Sequence, residues 1–471
     1  MSDDLTPELA ADVLTIALET GGELAEIFFE DVEQASVNLD DGRIESLASS
    51  RDRGVGIRVI DGERTGFAHT ADLSAEGLRS TARAAAASIA AGKAGSQSGP
   101  LATVVDFQPT HVEPGEVQIH PATVGKADKV AALRTAEETA RSRSEAITQV
   151  AARYAETRRR IRVINSEGLW ADDDQTRTLF SVNSVASGDV GLQTGNETVG
   201  LSMGYELLDR YDVADLATKA ADRALTKLEA RPAPAGTFEV VIGPGSGGVL
   251  FHEACGHGLE ADLVRKKASA FAGRVGEQVA SPLVTLVDDG AMDIEWGHLA
   301  IDDEGHRGQR NVLIEDGVLV DYMWDTIRAR QQGRTPSGNG RRQSYRHLPM
   351  VRMTNTFLEA GVSTPEEIIA SVDHGVYVAR LGGGQVNTAT GDFVFGMVEA
   401  YMIENGQITA PLREGQLIGN GPKVLTQIEA VGNDFEMGPP GTCGKDGQGV
   451  PVGDGVPTLK VTELTIGGTA A

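Results

Sequence analysis

The stretch "ASVNLDDGRIESLA", residues 35–48, decides the fold class of the N-terminal half. It places Asp41-Gly42 between two runs of β-type residues, which is the strongest short signal for a β-hairpin. A second such dipeptide, Asp61-Gly62, follows within "GIRVIDGERTGFA", residues 56–68. Two successive hairpins predict an antiparallel sheet.

Segments of helical character flank this predicted sheet. Residues 6–20 have helical apolar spacing behind Thr6-Pro7, an N-cap followed by proline at the first helical position. Residues 74–91 are rich in helix-forming types, and "GKAGSQSGP" at 92–100 breaks the pattern. The first hairpins are therefore expected to lie between two helices.

The same order of elements then repeats. A helix is predicted near 124–142, strands over about 147–204, and a helix over about 212–229. The repeat has no clear residue identity, and it suggests an internal duplication near 1–115 and 121–230.

The segment "EARPAPAG", residues 229–236, concentrates proline and small residues after a helix end and predicts a domain boundary. We predict an α+β domain over 1–232 with an antiparallel sheet and flanking helices. The second domain, 233–471, has hairpin signals at Asp316-Gly317 and Asn405-Gly406 and is expected to be mainly antiparallel β.

The composition limits the classes of function. The net charge of −26 over 471 residues argues against nucleic acid as the main partner, because phosphate binding relies on Lys and Arg. The best basic patch, Arg158–Arg160 with Arg162, is more typical of a solvated sheet face.

The N-terminus lacks the positive charges of a secretion signal, and no window approaches the roughly 18 apolar residues of a membrane span. We expect a cytoplasmic protein with no membrane partner, in which two cysteines are too few for a disulfide framework.

The stretch "VLFHEACGHGLEAD", residues 249–262, contains the first candidate chemistry. It begins like the zinc signature H-E-x-x-H, but His257 follows His252 by five residues instead of four. Residues five apart lie about 140° from each other on a regular α-helix, so the histidines would not share a face. A π-type turn brings them together, and Gly256 and Gly258 make that departure from α geometry inexpensive.

With such a turn, His252 and His257 bind a metal ion, and Glu253 is positioned to activate a metal-bound water. The alternative is a regular helix with one histidine satisfied in the core and Glu253 as a surface charge. A catalytic zinc keeps three protein ligands, so a third donor is required. Cys443 is the best candidate because it stands among glycines that cannot bury it, whereas Cys255 should point off the face of the histidines. Reserve donors, which are more typical of a polar turn, are Asp302, Asp303, Glu304 and His306.

Four long segments resemble, in the same order, the TldD/PmbA metallopeptidases, and specifically the zinc-carrying TldD branch. They are "HEACGHGLEAD" at 252–262, "SGNGRRQSYRHLPMVRMTNT" at 337–356, "LGGGQVNTATGDFVF" at 381–395 and "CGKDGQGVPVGDGVPTLKVTELTIGG" at 443–468. The resemblance covers nearly the whole chain. It implies an H-E-x-x-x-H helix in which His252 and His257 bind zinc with Cys443, while Glu253 is the general base. The metal-free branch, which resembles a partner subunit, lacks this set.

The resemblance further implies a zinc-dependent peptidase that hydrolyses short or unfolded peptides in a cavity enclosed by a dimer. The second subunit would be a metal-free relative or another copy of this chain. The backbone at Gly383 and Gly384 would suit close approach of a peptide added as a β-strand, although a plain loop is an alternative. Arg341, Arg342 and Tyr345 could hold substrate carbonyls or a terminus, or could make internal salt bridges.

Two other functions fit the same residues. One is a zinc amidohydrolase that acts on a small molecule. The other is a non-catalytic interaction protein with a structural metal, which would be favoured by a fourth ligand near the site.

Overall fold

The computed structural model describes residues 5–91, 102–110, 112, 115–387 and 389–469. The segment 92–100, predicted to end the second helix, lies outside the described residues. The fold is mixed α+β, as predicted. No helix within these described ranges is long and apolar enough to cross a membrane.

The N-terminal half is built on one mainly antiparallel sheet. Its strands are β1 (Leu24–Asp40), β2 (Arg43–Asp61), β3 (Arg64–Thr70), β4 (Gln108–Thr110), β5 (Ile147–Asn165), β6 (Leu169–Gly188) and β7 (Gly191–Leu201). The hydrogen-bonded order is β3-β2-β1-β5-β6, and β4 and β7 both pair with β6. Only β4 runs parallel to its neighbour among the described strands of this sheet.

The hairpin turns follow the sequence, with one shift. Asp41 and Gly42 connect β1 to β2 with φ of 46° and 83°, which is the left-handed geometry of a type I′ turn. The second turn lies one residue later than predicted, because Asp61 still pairs with Arg64 in the β2–β3 ladder. Its loop is therefore Gly62 and the residue after it, with glycine at the position of positive φ.

Two pairs of helices cover this sheet. The helices described in this half are α1 (Pro7–Leu18), α2 (Ala75–Ala91), α3 (Lys126–Ser142), α4 (Leu207–Arg210) and α5 (Val213–Glu229), with a 3-10 turn at Pro121–Thr123. Thr6 caps α1 as predicted, its hydroxyl accepting from the Leu9 N–H at 3.3 Å. Helices α1 and α2 pack together, as do α3 and α5, and each pair covers a separate apolar cluster. The order of helix, three strands and helix thus occurs twice, and the duplication itself stays a prediction.

The C-terminal half is mainly antiparallel β, as predicted. Its strands are β8 (Arg231–Pro232), β9 (Gly236–Ile242), β10 (Leu286–Asp289), β11 (Arg310–Glu315), β12 (Val318–Leu319), β13 (Gly340–Arg341), β14 (Met350–Val351), β15 (Asn355–Leu358), β16 (His374–Val386), β17 (Asp392–Glu404), β18 (Gln407–Arg413), β19 (Gln416–Asn420), β20 (Ile428–Val431), β21 (Glu436–Met437), β22 (Gly441–Lys445), β23 (Gln448–Val456) and β24 (Leu459–Gly467). Its helices are short: α6 (Gly248–Phe251), α7 (Ala261–Arg265), α8 (Thr326–Gln332), α9 (Pro365–Ala370) and α10 (Gly421–Thr426).

Two sheets organise this half. Strands β9, β16, β17, β19 and β24 pair in a closed ring, which makes a small barrel. A second sheet runs β12-β11-β10-β15-β23, and β22 pairs with β23 in a hairpin. Helix α6 packs against β15 and β23 and leads directly into the segment that contains both histidines.

The basic run of β5 is not a basic surface. Each of its arginines pairs with a carboxylate: Arg158 with Asp174, Arg159 with Glu30 and Asp303, Arg160 with Asp31 and Glu33, and Arg162 with Asp172. The prediction of a solvated face is therefore too simple, because neighbouring strands and the C-terminal half supply acidic partners. The paired charges give no support to a phosphate-binding patch.

Candidate metal centre

The two histidines meet because the helix changes its winding. Residues His252–Gly256 form a π-helix, which continues α6 and passes into a 3-10 turn at His257–Leu259. The predicted π-type turn is thus confirmed. The imidazole centroids of His252 and His257 lie 5.3 Å apart, with the rings at 85°.

The glycines of this segment are needed for packing more than for backbone freedom. Gly256 has an ordinary right-handed φ of −53°, but a Cβ there would lie 2.2 Å from the Met353 sulfur. A Cβ on Gly258 would lie 2.8 Å from the Phe271 ring. Gly256 and Gly258 are therefore required at these positions because neighbouring side chains approach them closely.

Three side chains converge into one group that can hold a metal ion. They are His252, His257 and Cys443, whose donor atoms all lie within 4.8 Å of one another. The Cys443 Sγ is 3.4 Å from the His257 Nε2. Tetrahedral zinc with bonds of about 2.3 Å to sulfur and about 2.0 Å to nitrogen separates two such ligands by about 3.5 Å, so the distance between this sulfur and this nitrogen fits zinc. A thiolate with two imidazoles is also a donor set that favours zinc over harder cations.

Cys443 is buried, contrary to the argument that its glycine neighbours leave it open. Only 3% of the residue is exposed. It lies on β22 opposite Val450 of β23, and the buried Arg352 guanidinium donates to its carbonyl. The hairpin and the histidine helix cover it together, so flanking glycines in a β-ladder do not imply exposure.

The two cysteines have opposite electrostatic environments. Burial by itself would raise the pKa of Cys443, but His252 and His257 outweigh it and lower the value to about 4. Burial raises the pKa of Cys255 to about 12, and its thiol donates to the Phe251 carbonyl at 2.9 Å. Cys443 is therefore the thiolate available to a metal, and Cys255 is an inert core residue.

A buried carboxylate orients one of the histidines. The Glu260 Oε2 is 3.1 Å from the His257 Nδ1, on the opposite side of the ring from Cys443. Lys445 donates to Glu260 at 2.9 Å and to Asp262 at 2.8 Å. Burial would lower the pKa of His257, yet Glu260 and Cys443 raise it well above its ordinary value. Such a carboxylate fixes the tautomer and direction of a metal-binding imidazole.

Glu253 lies beside this group without being part of it. Its Oε2 is 3.9 Å from the His257 Nε2, and its side chain is 26% exposed. No other histidine, cysteine, aspartate or glutamate joins the three-donor group in the part of the chain that the structure describes. The reserve donors are engaged elsewhere. Glu304 pairs with Arg58, and Asp303 pairs with Arg159. Asp302 accepts from the Gly340 N–H, and the His306 Nε2 is 2.8 Å from the Thr326 hydroxyl.

Models of one protein family match three consecutive parts of the chain. The PmbA/TldA metallopeptidase domain 1 matches residues 25–89, the central domain matches 119–228, and the C-terminal domain matches 235–468. The chain belongs to the PmbA/TldD family of metalloproteases. The division at 232/233 stays a prediction.

Individual relatives agree with the family assignment. The chain is 40% identical to the "Metalloprotease TldD homolog" of Haemophilus influenzae, over 99% of this chain and 97% of that protein. It is 33% identical to the "Zinc metalloprotease TldD homolog" of Saccharolobus solfataricus, over 63% and 66% of the two chains. The solved structure of TldE from Thermococcus kodakarensis has the same fold, with a TM-score of 0.75, 20% identity, and coverage of 97% and 99%. This chain is accordingly a metalloprotease of the TldD kind.

Three residues suggested for substrate binding have internal partners in this metalloprotease. The buried Arg341 donates to the carbonyls of Met353 and Pro451. Arg342 pairs with Glu26 at 2.6 Å, and Tyr345 is only 1% exposed. These contacts support the internal alternative that the sequence left open.

The two glycines suggested for substrate binding differ from each other. Both lie on β16, where Gly384 pairs with Phe395 of β17, and a Cβ there would lie 2.1 Å from that ring. A Cβ on Gly383 would meet nothing within 4 Å. The space beside the backbone is therefore open at Gly383, while Gly384 is required by barrel packing.

Sequence reasoning missed Glu260, Lys445 and Asp454 near the metal centre. Asp454, on β23, is 7% exposed, and its carboxylate has no hydrogen bond to any described residue. Burial raises the pKa of its carboxyl to about 7, with the Glu253 carboxylate adding to the rise and His252 opposing it. Glu260 stands three residues after His257, which is a usable signal for a carboxylate partner. Nothing local in the sequence distinguishes Asp454.

Proposed function

We propose that this metalloprotease is a zinc-dependent peptidase of short or unfolded peptides, with His252, His257 and Cys443 as ligands and Glu253 as general base. The observation that carries the proposal is the three-donor group within 4.8 Å with Glu253 beside it. A structural zinc usually has four protein ligands, whereas a catalytic zinc keeps an open position. Three donors therefore favour catalysis over a structural role.

The chemistry divides between the cofactor and the protein. Bound zinc supplies a Lewis acid that polarises the scissile carbonyl and makes water more acidic. The Glu253 carboxylate accepts the proton of the attacking water and delivers it to the leaving amine nitrogen. Its side chain is 26% exposed and its Oε2 lies 3.9 Å from the His257 Nε2, so the carboxylate is in contact with solvent at the site. Glu260 holds His257 by its Nδ1, so that the Nε2 remains free for the metal.

Access of the peptide substrate to the metal site is expected to be restricted. The site is expected to face a cavity closed by a second subunit, either a metal-free relative or another copy of this chain. A closed cavity admits extended peptides and excludes folded domains. The open backbone at Gly383 supports approach of a peptide in extended form.

One incubation tests the proposal. The zinc-loaded protein, alone and with a metal-free relative, is mixed with a stable protein in its native form and in a permanently unfolded form. Mass spectrometry of the products should show cleavage of the unfolded form only, in at least one of the two preparations. Rapid cleavage of the native form would contradict the closed cavity, and absence of peptide products in both preparations would contradict the peptidase.

A further inference from the structure

A cavity of about 330 Å³ is lined by residues of α6, β16 and β23. One wall is the β16 segment Leu381–Gly383, and the others include Val249, Val398 and Pro439–Pro440. Val249 precedes Glu253 by four residues, roughly one helical turn, so the cavity begins next to the proposed general base. The lining is largely apolar.

Two charged residues line this cavity, and they differ in their partners. Arg380 donates to the Glu197 carboxylate at 3.0 Å. Asp454 has no hydrogen-bond or ion-pair partner among the described residues, although only 7% of it is exposed. Its oxygens are not among the fully buried unpaired atoms of the described residues, so the carboxylate opens onto the cavity that it lines, where a ligand can reach it.

The backbone around Asp454 is built to keep the carboxylate close to the metal centre. A Cβ on Gly248 would lie 2.8 Å from the Asp454 Oδ1, and one on Gly438 would lie 2.9 Å from the same oxygen. Gly248 precedes His252 by four residues, about 6 Å along a helix axis. The free carboxylate therefore lies about one helical turn from a metal ligand, within the length of a bound peptide.

We propose that Asp454 binds a positively charged group of the peptide substrate in this cavity. The proposal rests on the peptidase function argued above. Two parts of a peptide have the required chemistry, the amino-terminal ammonium and the side-chain ammonium of a lysine. Either would form a charge-assisted hydrogen bond to the carboxylate, and the apolar walls suit the aliphatic part of the same residue. Asp454 would thus determine substrate preference without taking part in bond cleavage.

The test measures binding without turnover, using the zinc-loaded Glu253→Gln variant. This background also removes the Glu253 carboxylate as a second group to which a cation could bind. Calorimetry compares four pentapeptides of otherwise equal sequence: with a free amino terminus and lysine, with an acetylated terminus, with norleucine for lysine, and with both changes. The same series is repeated with Asp454→Asn added.

We expect the cationic peptides to bind roughly tenfold to a hundredfold more tightly than the doubly neutral one. Asp454→Asn should abolish that preference. Loss of affinity on acetylation would identify the amino terminus, and loss with norleucine would identify the side chain; either result supports the proposal. A charge preference that survives Asp454→Asn, or four equal affinities, would overturn this inference alone. No binding of any peptide would overturn it together with the peptidase proposal.

Thermal unfolding separates this role from a structural one. Asp288 is the matched control, because its buried carboxylate accepts from the Asn339 amide, the Thr354 N–H and two threonine hydroxyls. Asp288→Asn should lower the Tm by several degrees, whereas Asp454→Asn should leave it unchanged or raise it. An equal fall in both variants would make Asp454 a structural residue and contradict the proposal.

Discussion

The metal centre and the junction between the two halves both contain buried charged side chains. At the junction these side chains are paired with each other, whereas at the metal centre some of them have no protein partner. At the junction, Arg58 of the N-terminal sheet pairs with Glu26 at 2.7 Å and with Glu304 at 2.8 Å, and all three side chains are at most 3% exposed. At the metal centre, the His252 Nδ1 is buried without a hydrogen-bond partner. The Asp454 carboxylate has no hydrogen bond to the described residues and lines a cavity instead.

The comparison distinguishes two kinds of charged or polar group. Those at the junction are paired within the protein and stabilise the contact between its two halves, whereas those at the metal centre have no protein partner and are free to bind a ligand. A buried ion pair that loses one member leaves an uncompensated charge, so the junction is sensitive to any change in it. An unpaired buried group already carries that unfavourable energy in the free protein. Its replacement should therefore affect binding or catalysis more than stability.

Among the substitutions that test this comparison, Glu253→Gln is expected to have the largest effect, and that effect is on peptide hydrolysis. Peptide hydrolysis should fall by about a hundredfold to ten-thousandfold, because glutamine cannot accept the proton of the attacking water. Zinc content and Tm should remain those of the wild type, since Glu253 is outside the three-donor group. Turnover of an unfolded peptide, together with metal analysis, checks both parts. Loss of zinc in this variant would place Glu253 among the ligands.

At the junction, Arg58→Met should destabilise the protein by about 3–5 kcal/mol, because Glu304 is left buried without a counter-charge and Glu26 keeps only Arg342. Denaturant unfolding measures the change. The matched control is Arg79→Met, since the Arg79–Asp12 pair is exposed and contributes at most about 1 kcal/mol. Zinc bound per folded molecule should be unaltered in both. If Arg58→Met were as stable as Arg79→Met, the buried charges at the junction would not be important for stability, and the contrast with the metal centre would be wrong.

A smaller effect is expected for Glu260→Gln, which acts on the metal only through His257. Zinc affinity should fall by about tenfold to a hundredfold, as for other carboxylates that orient a metal-binding histidine. Competition with a chromophoric chelator measures it. Asp262→Asn is the control, because Asp262 shares Lys445 with Glu260 but is not hydrogen-bonded to the His257 ring. Equal losses in the two variants would attribute the effect to Lys445 instead.

The smallest effect is a dependence of zinc affinity on pH. In the metal-free protein the pKa values of His252 and His257 are raised above their ordinary value, so these imidazoles bind protons near neutrality. The metal requires neutral imidazoles, so affinity should rise with pH through the neutral range. Cys443, with a pKa of about 4, adds little to this dependence. Calorimetry in buffers of different ionisation enthalpy should detect proton release, and affinity that does not change with pH would contradict the raised histidine pKa values.

The parts of the fold that depend on local chemistry could be predicted from the sequence. The turn at Asp41-Gly42 and the cap at Thr6 follow from residues adjacent in the chain. The π-helix follows from the spacing of the two histidines once a shared face is required. Each of these predictions needs only a short segment.

The family resemblance implies that Cys443 joins the two histidines, but residue patterns alone do not predict the other contacts between distant segments. Cys443 is buried because a hairpin closes over a helix that precedes it by 186 residues. Lys445 reaches Glu260 across a similar interval, and the junction joins Arg342 to Glu26 over 316 residues. Such pairings are set by the packing of sheets, which the spacing of residue types along the chain does not encode.

Metal analysis of Cys443→Ala and Cys255→Ala tests the central claim most directly. Both substitutions remove one buried thiol, so the pair controls for the loss of core packing. Cys443→Ala should lose most zinc and essentially all peptidase activity, while Cys255→Ala should keep both. Full zinc occupancy in Cys443→Ala, or loss of zinc only in Cys255→Ala, would contradict the assignment of His252, His257 and Cys443 as the metal site.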